Sequence, residues 1–68
     1  MEVQEIEQAI ITGFRLLYPH ILTFDIRGYA YFQAPIIEKM SFDNAARLHN
    51  ISVAIESAAG RAGKLSQN

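Results

Sequence analysis

The sequence predicts an α+β domain in the order helix, two-stranded antiparallel β-hairpin, helix (αββα). Apolar residues recur at helical spacing over residues 2–17, and helical spacing returns after Ser41. Between these segments, two runs rich in β-branched and aromatic residues flank Ile26-Arg27-Gly28. Because 68 residues leave room for one hydrophobic core, we expect a single αββα domain over residues 1–64. Residues 65–68 are expected to form a frayed C-terminal tail.

The first helix is predicted over residues 2–17. Its apolar residues are three or four positions apart, which places them on one face: Val3, Ile6, Ile10, Phe14 and Leu17. Pro19 disfavours helical geometry at Tyr18 and so marks the end of the helix. Gly13 costs about 1 kcal/mol relative to alanine inside a helix. We interpret it as a site where another element packs closely, in preference to a functional kink.

The predicted hairpin pairs residues 21–25 with residues 29–33. Two registers compete: a two-residue Arg27-Gly28 turn, and a three-residue loop followed by a bulge. The second suits the residue preferences better, because Asp25 is favoured at the first position of a type I turn and Gly28 in the left-handed conformation. It places four residues on the core face: Leu22, Phe24, Ala30 and Phe32. We expect Gly28→Val to destabilise the fold, because a β-branched residue resists positive φ.

The second helix is predicted to begin after Ser41, a favourable N-cap, with Asp43 in its first turn. Pro35 either closes the second strand or opens a short helical turn before it. The principal apolar stripe of the helix contains Leu48, Ile51, Ile55, Ala58 and Ala62. Gly60 or Gly63 is predicted to end the helix.

The composition limits the chemistry that the chain supports. The absence of cysteine excludes thiolate nucleophiles, zinc–cysteine clusters and redox pairs. A formal net charge of −1 lacks the basic footprint that nucleic-acid binding usually requires. No segment resembles a transmembrane helix, and the acidic first residues lack the basic region of a signal peptide. We therefore expect a soluble, cytoplasmic protein with no membrane partner.

The titratable residues form no recognisable catalytic or metal-binding pattern. His20 and His49 are far apart and lack further ligands at metal-binding spacing. Glu2, Glu5 and Glu7 suit the first turns of a helix because its dipole favours negative charge there. We predict no catalytic, cofactor-binding or metal-binding residue, no cofactor and no enzyme activity. Thermal melts with and without zinc, magnesium and ATP are expected to superimpose.

A face of small residues in the second helix is the most distinctive candidate for an interaction surface. Ala54, Ala58 and Ala62 recur at every fourth position, and such a face lets another helix approach closely. Two interpretations stay open: a docking or dimer seam, and internal packing against the Gly13 region.

Tyr29 and Tyr31 are the other candidates for an interaction surface, on the outer face of the hairpin. Exposed aromatic residues on a sheet can stack nucleic-acid bases. Few cations flank these tyrosines, which favours pairing across the hairpin instead.

The function that the sequence favours is a non-enzymatic protein–protein interaction module, such as a small adaptor, assembly or regulatory subunit. Half of the residues are apolar, more than so small a core can shelter, so we expect a homo-oligomer or a complex with another protein. A nucleic-acid-binding regulator is the first alternative, and a small enzyme subunit with its site between chains is the second. In the first alternative, a dimer gathers the arginines on one surface: Arg15, Arg27, Arg47 and Arg61.

Overall fold

A computed structural model of the chain describes residues 2–22 and 24–66, with side chains as far as residue 63. It contains α1 (Val3–Leu17), α2 (Ile26–Met40) and α3 (Asn44–Ser66), and each helix packs against the other two. Over these ranges there is no β-strand. The α+β prediction and its αββα order are therefore wrong, and the chain forms a three-helix bundle-like domain instead.

The first helix lies where the sequence predicts it. The backbone N–H of Glu2 donates to Glu5 Oε1 over 3.2 Å, so the third helical residue caps the first turn. The helix ends before Pro19, as predicted. Most of its stripe is buried, whereas Leu17, in the last position, is exposed. The buried residues of α1 are Ile6, Ile10, Ile11 and Phe14.

The second helix occupies most of the segment for which the hairpin was predicted. Its buried residues recur at spacings of four, four and three, which is a helical period: Ile26, Ala30, Ala34 and Ile37. The predicted core face of the hairpin is consequently split. Ala30 is buried and Phe24 is half-buried, but Leu22 and Phe32 are exposed. Thr23, also assigned to the hairpin, lies outside the described residues.

The Asp25–Gly28 pair explains why the sequence predicts a hairpin turn where the structure has the start of α2. The Asp25 carboxylate accepts a hydrogen bond from the Gly28 N–H over 3.3 Å and so caps the start of α2. A type I turn places the same residue types at the same separation, so this pair fits both structures. Gly28 has a negative φ, so the bulged register is wrong and the stated reason for the Gly28→Val prediction no longer applies.

Asp43, and not Ser41 as the sequence predicts, is the N-cap of α3. The Asp43 carboxylate accepts the Ala46 N–H over 2.8 Å and caps α3. Ser41 instead ends α2, where its hydroxyl donates to the Ile37 carbonyl over 2.6 Å. The Asn50 amide in turn donates to the Ser41 hydroxyl over 3.1 Å. The side chain predicted to start α3 therefore joins the end of α2 to the first turns of α3.

The third helix continues through both glycines that were predicted to end it. Gly60 and Gly63 lie inside α3, neither has a positive φ, and apart from the local helix backbone no atom lies within 4 Å of the place of a Cβ at either position. The helix therefore includes residues 65–66 of the predicted frayed tail, and residues 67–68 lie outside the described residues.

The core of the described chain contains apolar residues and no buried polar or charged ones. α2 and α3 contribute mainly isoleucine and alanine to it, and Leu48 of the predicted stripe is exposed. Gly13 faces α3 so closely that a Cβ at this position would stand 2.6 Å from Ile55 Cδ1. The prediction of close packing at Gly13 is confirmed.

Candidate interaction surface

The small-residue face of α3 lies inside the folded chain. Ala54, Ala58 and Ala62 are all buried in the core that α3 shares with α1 and α2. Side chains covered in this way have no surface to offer a second molecule unless the bundle opens. Of the two interpretations, the structure therefore favours internal packing for these three alanines.

Tyr29 is a structural residue that joins α2 to α3. It is half-buried, and its hydroxyl donates to the Ala54 carbonyl over 3.1 Å. The Arg61 guanidinium carbon lies 5.9 Å from the centre of the Tyr29 ring, within the range of a cation–π contact. Tyr31, by contrast, is 73% exposed. The structure therefore separates the two tyrosines that the sequence grouped together.

An exposed apolar stripe runs along the solvent side of α2. Phe32, Ile36 and Met40 are 68%, 41% and 58% exposed, respectively. They are four residues apart, so they lie above one another on one side of the helix. Tyr31 lies about 100° from Phe32 around the helix axis, on the side away from Ile36. It is therefore not part of this stripe.

The stripe borders a groove between α2 and α3, which run antiparallel. Met40 lines the α2 side of the groove and Val53 the α3 side, with three polar residues between and beside them: Gln33, Asn50 and Ser57. Val53 is 49% exposed. We call Phe32, Ile36, Met40 and Val53 the apolar face.

Exposed large apolar residues elsewhere do not repeat along one side of a helix. They lie at the end of α1, in the two connections and near the start of α3: Leu16, Leu17, Leu22, Phe42 and Leu48. Single exposed apolar residues are common on monomeric proteins. The apolar face differs from them because Phe32, Ile36 and Met40 repeat along one side of α2, and Met40 and Val53 line the same groove.

The four arginines do not gather on one surface of this chain. Arg15 and Arg27 line a groove between α1 and α2, but Glu7 lines it too. Arg47 lies in the first turn of α3, and Arg61 lines the groove between α2 and α3. The nucleic-acid alternative would therefore need a second chain to assemble a basic patch.

The candidates for metal chemistry also stay apart. Within the described part of the chain, no three His, Cys, Asp or Glu side chains are grouped closely enough to hold a metal ion. His20 and His49 lie in the α1–α2 connection and in α3, and both are exposed. None of the helices in the described ranges is long and apolar enough to cross a membrane.

Sequence reasoning missed the apolar face because it assigned residues 29–33 to a strand. That predicted strand contains residue 32 but not residues 36 and 40, so it gives no reason to group the three. The four-residue spacing of Phe32, Ile36 and Met40 was visible in the sequence. With Asp25 as a helix N-cap, the segment is a helix, and this spacing then places the three residues on one side of it.

Comparison with known proteins assigns the chain to no family. No protein-family model matches it, and no curated protein or solved structure is similar enough to count as a match.

Proposed function

We propose that this protein is a non-enzymatic protein–protein interaction module that binds its partner through the apolar face. The observation that carries the proposal is the exposed row of Phe32, Ile36 and Met40, of which Met40 also lines the groove between α2 and α3. The proposal includes a cytoplasmic location, which fractionation of the native cells would test.

The make-up of α2 supports this proposal. Residues 28–37 contain no charged side chain, although part of this segment faces water. A helix that is apolar on most of its sides is normally buried on most of its sides. In the single chain, α2 buries one side and leaves the apolar face uncovered. Exposed apolar side chains grouped along one side of a helix are typical of a protein-binding site.

Site-specific photo-crosslinking in the native cell tests the proposal. Benzoylphenylalanine in place of Phe32 places the reactive group on the apolar face, and the same residue in place of Thr12 places it on the exposed side of α1. We expect the first variant to give a crosslinked product of defined mass and the second to give none. Adding Ile36→Glu to the first variant should abolish the product, because a charge would then have to be buried.

Two outcomes would contradict the proposal. One is equal crosslinking from positions 32 and 12, which would show that the apolar face has no preference for a partner. The other is no product from position 32 at native expression levels. When Ile36→Glu abolishes the product, circular dichroism of that variant should show intact helices, because a loss of helix would explain a lost product without any role in binding.

A further inference from the structure

We infer that the partner on the apolar face is a second copy of this chain, packed about a two-fold axis with the two α2 helices antiparallel. The inference rests on the proposed function, since it names the molecule that the proposed surface binds. A two-fold axis requires one patch to complement itself. Area, charge and spacing at the apolar face each bear on that requirement.

The exposed area of the apolar face supplies about two thirds of what a small dimer interface needs. With large apolar side chains offering on the order of 150–200 Å² each, the four residues of the apolar face expose roughly 400 Å² per chain, or about 800 Å² in a pair. A pair that also covered Phe42, which is 88% exposed and lies two residues beyond the end of α2, would bury about 1,100 Å². Stable interfaces begin at about 1,200 Å², a value that flanking polar residues would complete.

The whole chain also exposes more surface than its mass requires. Its accessible surface is 4784 Å², whereas a monomeric protein of 7.6 kDa is expected to expose about 4,300 Å². The chain is elongated, measuring 38 × 18 × 17 Å, which accounts for part of the excess. Pairing of two chains along their long sides, through the apolar face, would reduce this excess of accessible surface.

The charge of the face permits self-pairing. A patch with a net charge repels its own copy, but residues 28–37 carry no charge at all. Arg27 and Glu38 flank this stretch directly but lie on the other side of α2 from Ile36. Lys39 is the charged residue of α2 that lies beside the stripe. In an antiparallel pair centred on Ile36, the two Lys39 positions would be separated by about 9 Å along the helix axis, at 1.5 Å per residue. That distance exceeds the screening length of about 8 Å at physiological salt.

The spacing of the stripe matches an antiparallel pair. Ile36 is midway between Phe32 and Met40, so a two-fold axis at Ile36 brings each Phe32 opposite the Met40 of the other copy. A flexible methionine beside an aromatic ring makes a favourable contact. The same axis places each Ile36 against its own copy. A parallel pair would instead stack Phe32 on Phe32.

Sedimentation equilibrium of the purified chain provides the first test. An interface at the small end of the range should give monomer near ~5 µM and mostly dimer near ~200 µM. Phe32→Glu should raise the dimer dissociation constant about tenfold or more, since it places a charge in the centre of the interface. Tyr31→Glu is the matched control, because this neighbouring residue is equally exposed but lies off the stripe. Tyr31→Glu should leave the dimer dissociation constant within about threefold of the natural chain's value.

Disulfide trapping tests the geometry. The natural chain has no cysteine, so a single engineered cysteine can form a disulfide only with another copy. Ile36→Cys should give a covalent dimer on mild oxidation, because a residue on a two-fold axis meets itself. Phe32→Cys and Thr12→Cys should crosslink far more slowly. Faster trapping at position 32 than at position 36 overturns the antiparallel arrangement.

The failure of this inference can be told apart from the failure of the proposed function. Wild-type protein that stays monomeric at about 500 µM, or a dimer that Tyr31→Glu weakens as much as Phe32→Glu, overturns self-pairing. If photo-crosslinking at position 32 then yields a different protein, the proposed function stands with an unlike partner. If photo-crosslinking at position 32 yields no product either, both self-pairing and the proposed function fail. Circular dichroism of each variant confirms that its helices are intact.

Discussion

The contact between Gly13 and Ile55 leaves no room for a methyl group on α1. A Cβ at position 13 would stand 2.6 Å from Ile55 Cδ1, well inside the usual carbon–carbon contact distance of about 3.5–4.0 Å. Gly60 also lies inside a helix, but apart from the local helix backbone nothing is within 4 Å of the place of its Cβ. Both glycines lower helix propensity, and Gly13 alone offsets that cost through packing.

We therefore predict that the same substitution stabilises the fold at Gly60 but not at Gly13. Gly60→Ala should raise the free energy of unfolding by about 0.5–1 kcal/mol, because alanine favours the helix and meets no neighbour. Gly13→Ala should change the free energy of unfolding by about 1 kcal/mol less favourably than Gly60→Ala does, since the buried Ile55 side chain must move. Urea denaturation at one fixed protein concentration measures both values.

Ile55→Val provides the control, because valine lacks the Cδ1 atom. In the Ile55→Val background, the deficit of Gly13→Ala relative to Gly60→Ala should largely disappear. Equal gains from the two alanine substitutions in the natural background would show that Gly13 does not set the spacing of α1 and α3.

The second helix, α2, forms against the preferences of its own residues. Tyr29, Tyr31 and Phe32 favour strands, and Pro35 lies inside the helix without the N–H that the Tyr31 carbonyl would accept. Strand propensity spans only about 1 kcal/mol per residue. Burial of one isoleucine side chain contributes about 1.5–3 kcal/mol, so packing of Ile26 and its three buried neighbours outweighs it.

Pro35 is therefore the residue of α2 whose replacement should stabilise the helix most. Pro35→Ala should raise the free energy of unfolding by about 1–3 kcal/mol, because it restores a backbone hydrogen bond and Pro35 is exposed. Chemical denaturation followed by circular dichroism measures the change. Lys39→Ala, an exposed substitution in the same helix, should stay within about 0.5 kcal/mol. A lower stability for Pro35→Ala would mean that the ring itself packs usefully.

The sequence could predict α1 because its period, its capping and its stop at Pro19 all agree. It could also predict that Gly13 marks a close contact. It could not decide the middle segment, because Asp25 and Gly28 fit a turn and a helix start equally well. That choice depends on what covers Ile26 and Ala30, and the covering residues are distant in the sequence. The apolar face was missed with the helix that carries it.

A chain of aromatic contacts and one hydrogen bond connects all three helices. Phe24, in the α1–α2 connection, lies 6.1 Å from the Phe14 ring of α1 and 5.8 Å from the Tyr29 ring of α2. Tyr29 in turn bonds to the Ala54 carbonyl of α3. These contacts close the end of the bundle where α1 and α2 are joined. The connection therefore contributes to the core instead of only linking two helices.

Phe24→Ala should lower the free energy of unfolding by about 2–3 kcal/mol. Full burial of an aromatic residue would give about 3–5 kcal/mol, and Phe24 is half-buried. Leu22→Ala, two residues earlier but exposed, should change stability by less than about 0.5 kcal/mol. Thermal melts of both variants would check the difference. Similar melting temperatures would show that the connection is not coupled to the core.

The uncharged stretch of α2 has a consequence for the chain when it is not folded. Residues 28–37 combine aromatic and branched residues with no charge, which is the composition of segments that assemble into cross-β aggregates. Pro35 interrupts such assembly, because it cannot donate to a strand ladder. The residue that weakens the helix thus protects the unfolded chain. Pro35→Ala should melt at a higher temperature yet recover less soluble protein on cooling, with more thioflavin-positive material than the natural chain.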